Sequence, residues 1–310
     1  MSGHDHHHHG HHGHSHHHPV NPGAIGGAFA IGVAINLGYT IVEIIAGLAA
    51  HSLALLADAA HNASDVAGLL AAWIATKLAV KAASATYTYG MRRASILAPL
   101  GNAVALLLVT GGIAWEAVLR LAAPSHVGGA MVMAVAAGGI LVNGGSALLF
   151  LRGQEDLNVR GAFLHMAGDA ALAGATVLAG GLIFLTHRNW IDPVVSLLVS
   201  AFIIWATWSL LRQSVALVMD RVPTGMSTID ITNCLSAIPG VVSLHDLHVW
   251  PVSTTETALT AHIVRSDPAD DKLMLAAMHD ALVHRFGIQH ATLQLEASSF
   301  GCVCAFAAGA

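Results

Sequence analysis

Charge is what this chain has least of. Asp, Glu, Lys and Arg together make up 10% of its 310 residues, where soluble domains carry about a quarter. With 55% apolar residues and a mean hydropathy of +0.65, the composition excludes an ordinary soluble domain and predicts residence in a lipid bilayer. Basic residues are fewer still, thirteen Lys and Arg against eighteen Asp and Glu, and they form no stripe of the kind that engages nucleic acid. Cysteine is nearly missing. Cys234 stands alone and Cys302 and Cys304 sit together near the end, so there is no disulfide framework, and metal or redox chemistry is the remaining use for these thiols.

Histidine runs against this scarcity. Eleven of the 22 histidines fall within the first eighteen residues. Residues 1–22 alternate His with Gly, Ser and Asp, offer nothing apolar to seed a core, and are read as a disordered cytoplasmic tail that collects metal. A purification tag, the alternative, would be an uninterrupted run, whereas Gly and Ser break this one. The tail has neither the apolar core nor the cleavage site of a signal peptide.

Six apolar segments follow, at 24–49, 52–79, 95–122, 129–151, 161–186 and 190–212, each long enough for the roughly 20 residues of a spanning helix. They predict an all-α six-helix membrane domain over residues 23–213. Eight basic residues (Lys77, Lys81, Arg92, Arg93, Arg152, Arg160, Arg212 and Arg221) flank one set of helix ends, and only Arg120 and Arg188 the other. The positive-inside rule then places both termini in the cytoplasm.

Residues 222–297 read as helix, strand, strand, helix, strand. A short helix over 226–238 is closed by Pro239-Gly240; SLHDLHVWPV and ETALTAHIV alternate as strands do; 270–286 has helical periodicity, and HATLQLEA is a third strand. This is enough for one small α+β domain on the cytoplasmic side. Residues 298–310, with the Cys-x-Cys pair, are read as a flexible tail.

Ionisable residues inside the apolar segments carry the chemistry. A charge at bilayer depth costs about 2.5–3.5 kcal/mol on insertion scales, so each one requires a reason. HSLALLADAAHNASDVAGL puts His61 and Asp65 one turn apart on one helix face, with Asp58 on the same face. LNVRGAFLHMAGDAALAG repeats His-x-x-x-Asp at His165 and Asp169, about one turn into the fifth helix. Two imidazoles and two carboxylates facing each other across a bundle make a tetrahedral site for a divalent metal. That donor set suits Zn²⁺ and would accept Cd²⁺, Co²⁺ or Mn²⁺, while Mg²⁺ and Ca²⁺ ask for oxygen alone. Asp58 lies one turn farther from the cytoplasm. It is read as supporting the ligands or lying on a proton path, with a helix-packing carboxylate as the alternative. Asn36, Tyr39 and Glu43 share one face of the first helix. Asn36, Asn102, Asn143 and Glu116 are read as hydrogen bonding between helices.

The segments SLALLADAAHNASDV, YTYGMRRASILAPLGNA, LNVRGAFLHMAGDA, IDPVVSLLVSAFII and GVVSLHDLHVW resemble successive stretches of the cation diffusion facilitators, over most of residues 25–297. The resemblance implies a homodimer in the bacterial inner membrane that moves Zn²⁺ out of the cytoplasm against H⁺. It also implies a ferredoxin-like cytoplasmic domain holding regulatory Zn²⁺. The family's transport site would fall on His61, Asp65, His165 and Asp169, and His plus Asp on both helices resembles the zinc-transporting branch. His248, His262 and His290 resemble the family's cytoplasmic ligands, with His245 and Glu296 as additions and Cys302 and Cys304 as a thiol pair able to complete a site. One departure is Ser95, where relatives often have Glu, so an ion pair made there is missing.

Chemistry supplies the coupling. Histidine must lose its proton to bind metal, so protons and metal compete for one site, and access that alternates between the two sides makes an antiporter. The alternative is a membrane-anchored metal sensor or scaffold that binds metal without translocating it. The chain is not read as an enzyme, because four protein ligands leave no open position for substrate and no general base stands beside them.

Overall fold

The computed structural model describes residues 26–149, 151, 157–268 and 271–297. The histidine-rich tail and Cys302 and Cys304 lie outside the described residues. The apolar segments form α1 (Gly26–Ala49), α2 (Leu53–Ala79), α3 (Ala94–Ala122), α4 (Gly129–Gly139), a π-turn (Ile140–Gly144) that leads into α5 (Gly145–Leu149), then α6 (Leu157–Thr186) and α7 (Ile191–Val218). Among the described residues, four stretches are long and apolar enough to cross a membrane: Ala94–Ala122, Gly129–Leu148, Phe163–Thr186 and Ile191–Val218. α1 adds a shorter apolar stretch, Val33–Ala49. α2 has the length but not the apolarity, because Asp58, His61, Asn62, Ser64 and Asp65 crowd its first half.

Burial is inverted relative to a soluble bundle. Leu108, Trp115, Leu178 and Trp205 are exposed, while Thr110, Thr176, Ser196 and Ser200 are buried between helices. That is the arrangement expected where lipid faces outward and small polar residues let helices approach. At the crossing of α4 and α6, a Cβ on Gly129 would come 2.7 Å from the Gly180 carbonyl oxygen, so only glycine permits this approach. Glu116 differs from its expected role between helices. It accepts from Arg120 Nε one turn away on α3, and Arg120 Nη1 in turn donates to the His51 carbonyl between α1 and α2.

The polar end of the chain forms α8 (Thr228–Ser236), β1 (Val241–Pro251), β2 (Thr257–Arg265), α9 (Asp271–Phe286) and β3 (His290–Glu296). The sheet runs in the order β1-β2-β3, antiparallel and then parallel. Alternation assigns its two faces. Leu259, Ala261 and Ile263 pack with Val249 against Ile231, Leu235, Met274, Met278 and Leu282 of α8 and α9, leaving His262 and Glu296 on the opposite face. A bulge in β1 between His245 and His248, with Asp246 at φ 51°, inserts one extra residue. Without it His245 and His248, three positions apart, would point to opposite faces; with it both join His262.

Candidate metal centre

The position of α2 is fixed from its first turn. Ser52 is its N-cap and accepts from the Leu55 N–H at 3.2 Å, which satisfies one of the free donors at a helix start. Asp192, fully buried on α7, accepts from Ser52 Oγ and, at 2.7 Å, from the Leu53 N–H. A carboxylate at a helix N-terminus is favoured by the backbone dipoles there, so α7 holds the start of α2. Farther along, Asn102 of α3 donates to Ser64 at 3.0 Å, and Asn62 donates to Glu43 of α1 at 2.8 Å.

With α2 so held, its His-x-x-x-Asp pair meets the pair on α6. His61 Nε2 lies 3.1 Å from Asp169 Oδ1 and 3.8 Å from Asp65 Oδ2. His165 Nε2 lies 3.3 Å from Asp65 Oδ2 and 3.7 Å from Asp169 Oδ2. One donor atom from each of the four lies within 4.8 Å of the others. A tetrahedral ion with bonds of about 2.0–2.2 Å separates its ligands by about 3.3–3.6 Å, and these spacings bracket that edge. His165 stands two turns into α6, which begins earlier than its apolar run. Asp58 is not among the gathered donors; it is buried on α2, three residues before His61.

A second cluster sits on the open face of the three-stranded sheet. His245, His262 and Glu296 bring one donor atom each within 4.8 Å. Glu296 Oε2 is 3.4 Å from His245 Nε2, and Glu296 Oε1 is 2.9 Å from His262 Nδ1. His245 Nε2, His262 Nδ1 and Glu296 Oε2 are nevertheless buried without a hydrogen-bond partner. Three converging, unpartnered donors, two nitrogens and an oxygen, fit a divalent cation such as Zn²⁺.

The structure brings together some of the residues expected from sequence and not others. His262 belongs to the cluster, and the two additions, His245 and Glu296, complete it. His248 stands beside it, half exposed, 3.0 Å from Asp246 Oδ1, whose other oxygen is 3.7 Å from His262 Nε2. His290 shares the face but begins β3, six residues or about 20 Å along the strand from Glu296. Its partner is Tyr89 Oη at 3.3 Å, from the segment between α2 and α3. Asp246 and Asp192 escaped the sequence reading. Asp192 could have been found as a charge opening an otherwise apolar helix, but Asp246 is aimed by a bulge that no local pattern announces.

Ser95 makes a different contact from the ion pair it lacks. Its Oγ accepts from the Thr254 N–H at 3.2 Å, and neighbouring Arg92 pairs with Glu256. Arg93 pairs with Asp220 at 2.9 Å.

Two family models match the chain: the cation efflux transmembrane domain over residues 29–219, and the cytoplasmic domain of cation efflux proteins over 223–298. The chain is similar to the zinc transporter ZitB of Escherichia coli (strain K12), 35% identical over 271 residues that cover 86% of each chain. It is similar also to the cadmium, cobalt and zinc/H(+)-K(+) antiporter of Bacillus subtilis (strain 168), 32% identical over 285 residues, 90% of this chain and 91% of that one. A third relative is the metal cation efflux system protein CzcD of Cupriavidus metallidurans, 33% identical over 279 residues, 89% of this chain and 88% of that one.

Proposed function

The chain belongs to the cation efflux family, and from that membership we propose that it exports Zn²⁺ from the cytoplasm in exchange for H⁺, accepting Cd²⁺ and Co²⁺ at the same ligands. The observation that carries this reading is the meeting of His61, Asp65, His165 and Asp169 at the spacing of a tetrahedral ion. The relatives are named for zinc, cadmium and cobalt, the metals that two imidazoles and two carboxylates suit.

Orientation follows from the basic residues, which put the segment between α2 and α3 and the start of α6 on the cytoplasmic side. Asp65 and His165 are the ligands nearer that side, and their side chains are 35% and 45% exposed; His61 and Asp169, farther away, are 14% and 6% exposed. This gradient supports a site open toward the cytoplasm and closed beyond His61 and Asp169, one of the two states that alternating access requires. Zinc enters from the cytoplasm and displaces protons from the imidazoles. A change of access then releases it on the far side, where protons take its place.

The remaining features of the reading are a six-span membrane domain, a ferredoxin-like cytoplasmic domain, a homodimer, both termini in the cytoplasm and a bacterial inner membrane, as suits bacterial relatives. His245, His262 and Glu296 would hold a regulatory Zn²⁺ on the cytoplasmic sheet. The experiment is proton-driven zinc uptake into inside-out vesicles. Wild-type protein accumulates zinc; Asp65→Ala and Asp169→Ala remain folded and do not. Retained uptake in either variant would refute the ligand assignment. Zinc bound without being moved would favour a sensor or scaffold.

A further inference from the structure

The segment that joins α2 to α3 folds back on the end of α2. Gly90, at φ 67°, approaches Lys81 so closely that a Cβ there would lie 3.1 Å from the Lys81 carbonyl oxygen, and the Gly90 N–H donates to the Tyr87 carbonyl at 2.8 Å. The three-stranded sheet and its β1–β2 turn stand across from this segment. Tyr89 Oη meets His290 Nε2 at 3.3 Å, Arg92 pairs with Glu256, and Ser95 Oγ accepts from the Thr254 N–H. Beside these contacts lies a cavity of about 850 Å³, with Thr76, Val80, Lys81 and Tyr89 on one wall and His290 on the other. Among the described residues that line it, the one acid, Glu256, is taken up by Arg92, whereas the Lys81 ammonium has no hydrogen-bond or ion-pair partner.

The end of α2 leads into this cavity. Leu69, Trp73, Thr76 and Val80 follow one another at helical spacing and share one face; Val80, the cap of the helix, keeps αR geometry. Leu69, Trp73 and Val80 are exposed, and Thr76 and Val80 line the cavity. Lys77 Nζ sits over the Trp73 ring, 6.0 Å from its centroid. A tryptophan with a lysine at a helix end marks the level of a membrane surface, so the cavity opens where lipid headgroups stand, and an apolar strip of about 16 Å runs from it toward the bilayer interior. Lys77, in the last turn of α2, faces the carbonyl end of its own helix, which offsets part of its charge. Lys81 is the cation left for a ligand. We propose that this cavity binds an anionic glycerophospholipid, with its phosphate at Lys81 and an acyl chain along Leu69, Trp73 and Val80. Charge favours an anionic lipid over a zwitterionic one, because Arg92 and Glu256 cancel and Lys81 does not. The apolar strip favours a lipid over free phosphate, which would gain nothing from it. The site goes beyond the transport reading and requires only that α2 stand in a membrane.

The test titrates full-length protein, delipidated in detergent, with phosphatidylglycerol, phosphatidylcholine or inorganic phosphate and weighs the intact complexes by native mass spectrometry. One basic residue at a membrane surface is worth about fivefold in binding an anionic lipid. Wild-type protein should therefore retain one phosphatidylglycerol per chain about fivefold more strongly than phosphatidylcholine. Lys81→Gln should remove that preference and Lys81→Arg restore it; Lys81 is exposed, so neither change threatens the fold. Lys272→Gln, an equal loss of charge on α9, should leave the preference intact. Trp73→Ala should weaken retention of both lipids. Equal retention of the two lipids by wild type, a preference that survives Lys81→Gln, or retention untouched by Trp73→Ala would each overturn the proposal. Displacement of phosphatidylglycerol by millimolar inorganic phosphate would overturn it too, by showing a site for a free anion.

Discussion

His61 Nε2 and Asp169 Oδ1 lie 3.1 Å apart although 108 residues of chain separate them. The helix that carries His61 is held by polar contacts that reach α2 from α1, α3 and α7. A site assembled this way responds separately to changes in its ligands and in its supports.

The ligands can be separated from the fold by zinc-dependent stability. A ligand at about 100 times its Kd stabilises the state it binds by about 2.7 kcal/mol. In a His262→Ala background, which removes the cytoplasmic cluster, zinc should raise the unfolding temperature of the membrane domain. Adding Asp169→Asn should abolish that rise and leave the metal-free unfolding temperature near its starting value. Thermal unfolding in detergent with and without zinc measures both.

The cap on α2 makes the opposite prediction. Ser52→Ala removes the N-cap and the donor to Asp192 and should lower stability by about 1 kcal/mol. Asp192→Ala should cost more, because it leaves the Ser52 hydroxyl and the Leu53 N–H buried without their acceptor. Both should slow zinc transport through a displaced α2, with the ranking read from parallel unfolding and flux measurements.

On the cytoplasmic sheet the prediction distinguishes two histidines. His262→Ala should reduce bound zinc by one ion per chain, measured by elemental analysis after equilibrium dialysis. His290→Ala should leave the stoichiometry unchanged, because its partner is Tyr89 and not the cluster. Equal losses would restore His290 as a ligand.

Helix packing offers a fourth test. A Cβ on Gly180 would come 2.7 Å from the Met133 backbone nitrogen, a contact with backbone that no side-chain rotation relieves. Gly180→Ala should destabilise the protein by about 1–3 kcal/mol. Gly111→Ala, which meets nothing within 4 Å, should be close to neutral.

Sequence periodicity made one layer of this legible and hid another. His61 with Asp65 and His165 with Asp169 were visible because helical spacing alone puts each pair on one face. The elements of the cytoplasmic unit were readable because alternation and Pro239-Gly240 mark them. Which residues meet across elements was less accessible. The bulge at Asp246 changes the face of half a strand, and the six-residue length of β3 separates His290 from Glu296. Glu43 was legible as a polar residue on α1, but the hydrogen bond it accepts from Asn62 depends on how α1 packs on α2. The polarity that draws attention to His61 and Asp65 also lowers α2 below the apolarity of an ordinary membrane span.

The most direct measurement is anomalous scattering at the zinc edge from zinc-loaded protein. One peak is expected between α2 and α6, about 2.0–2.2 Å from His61, Asp65, His165 and Asp169. A peak only on the cytoplasmic sheet, or an intramembrane peak that lacks any of these four ligands, would contradict it.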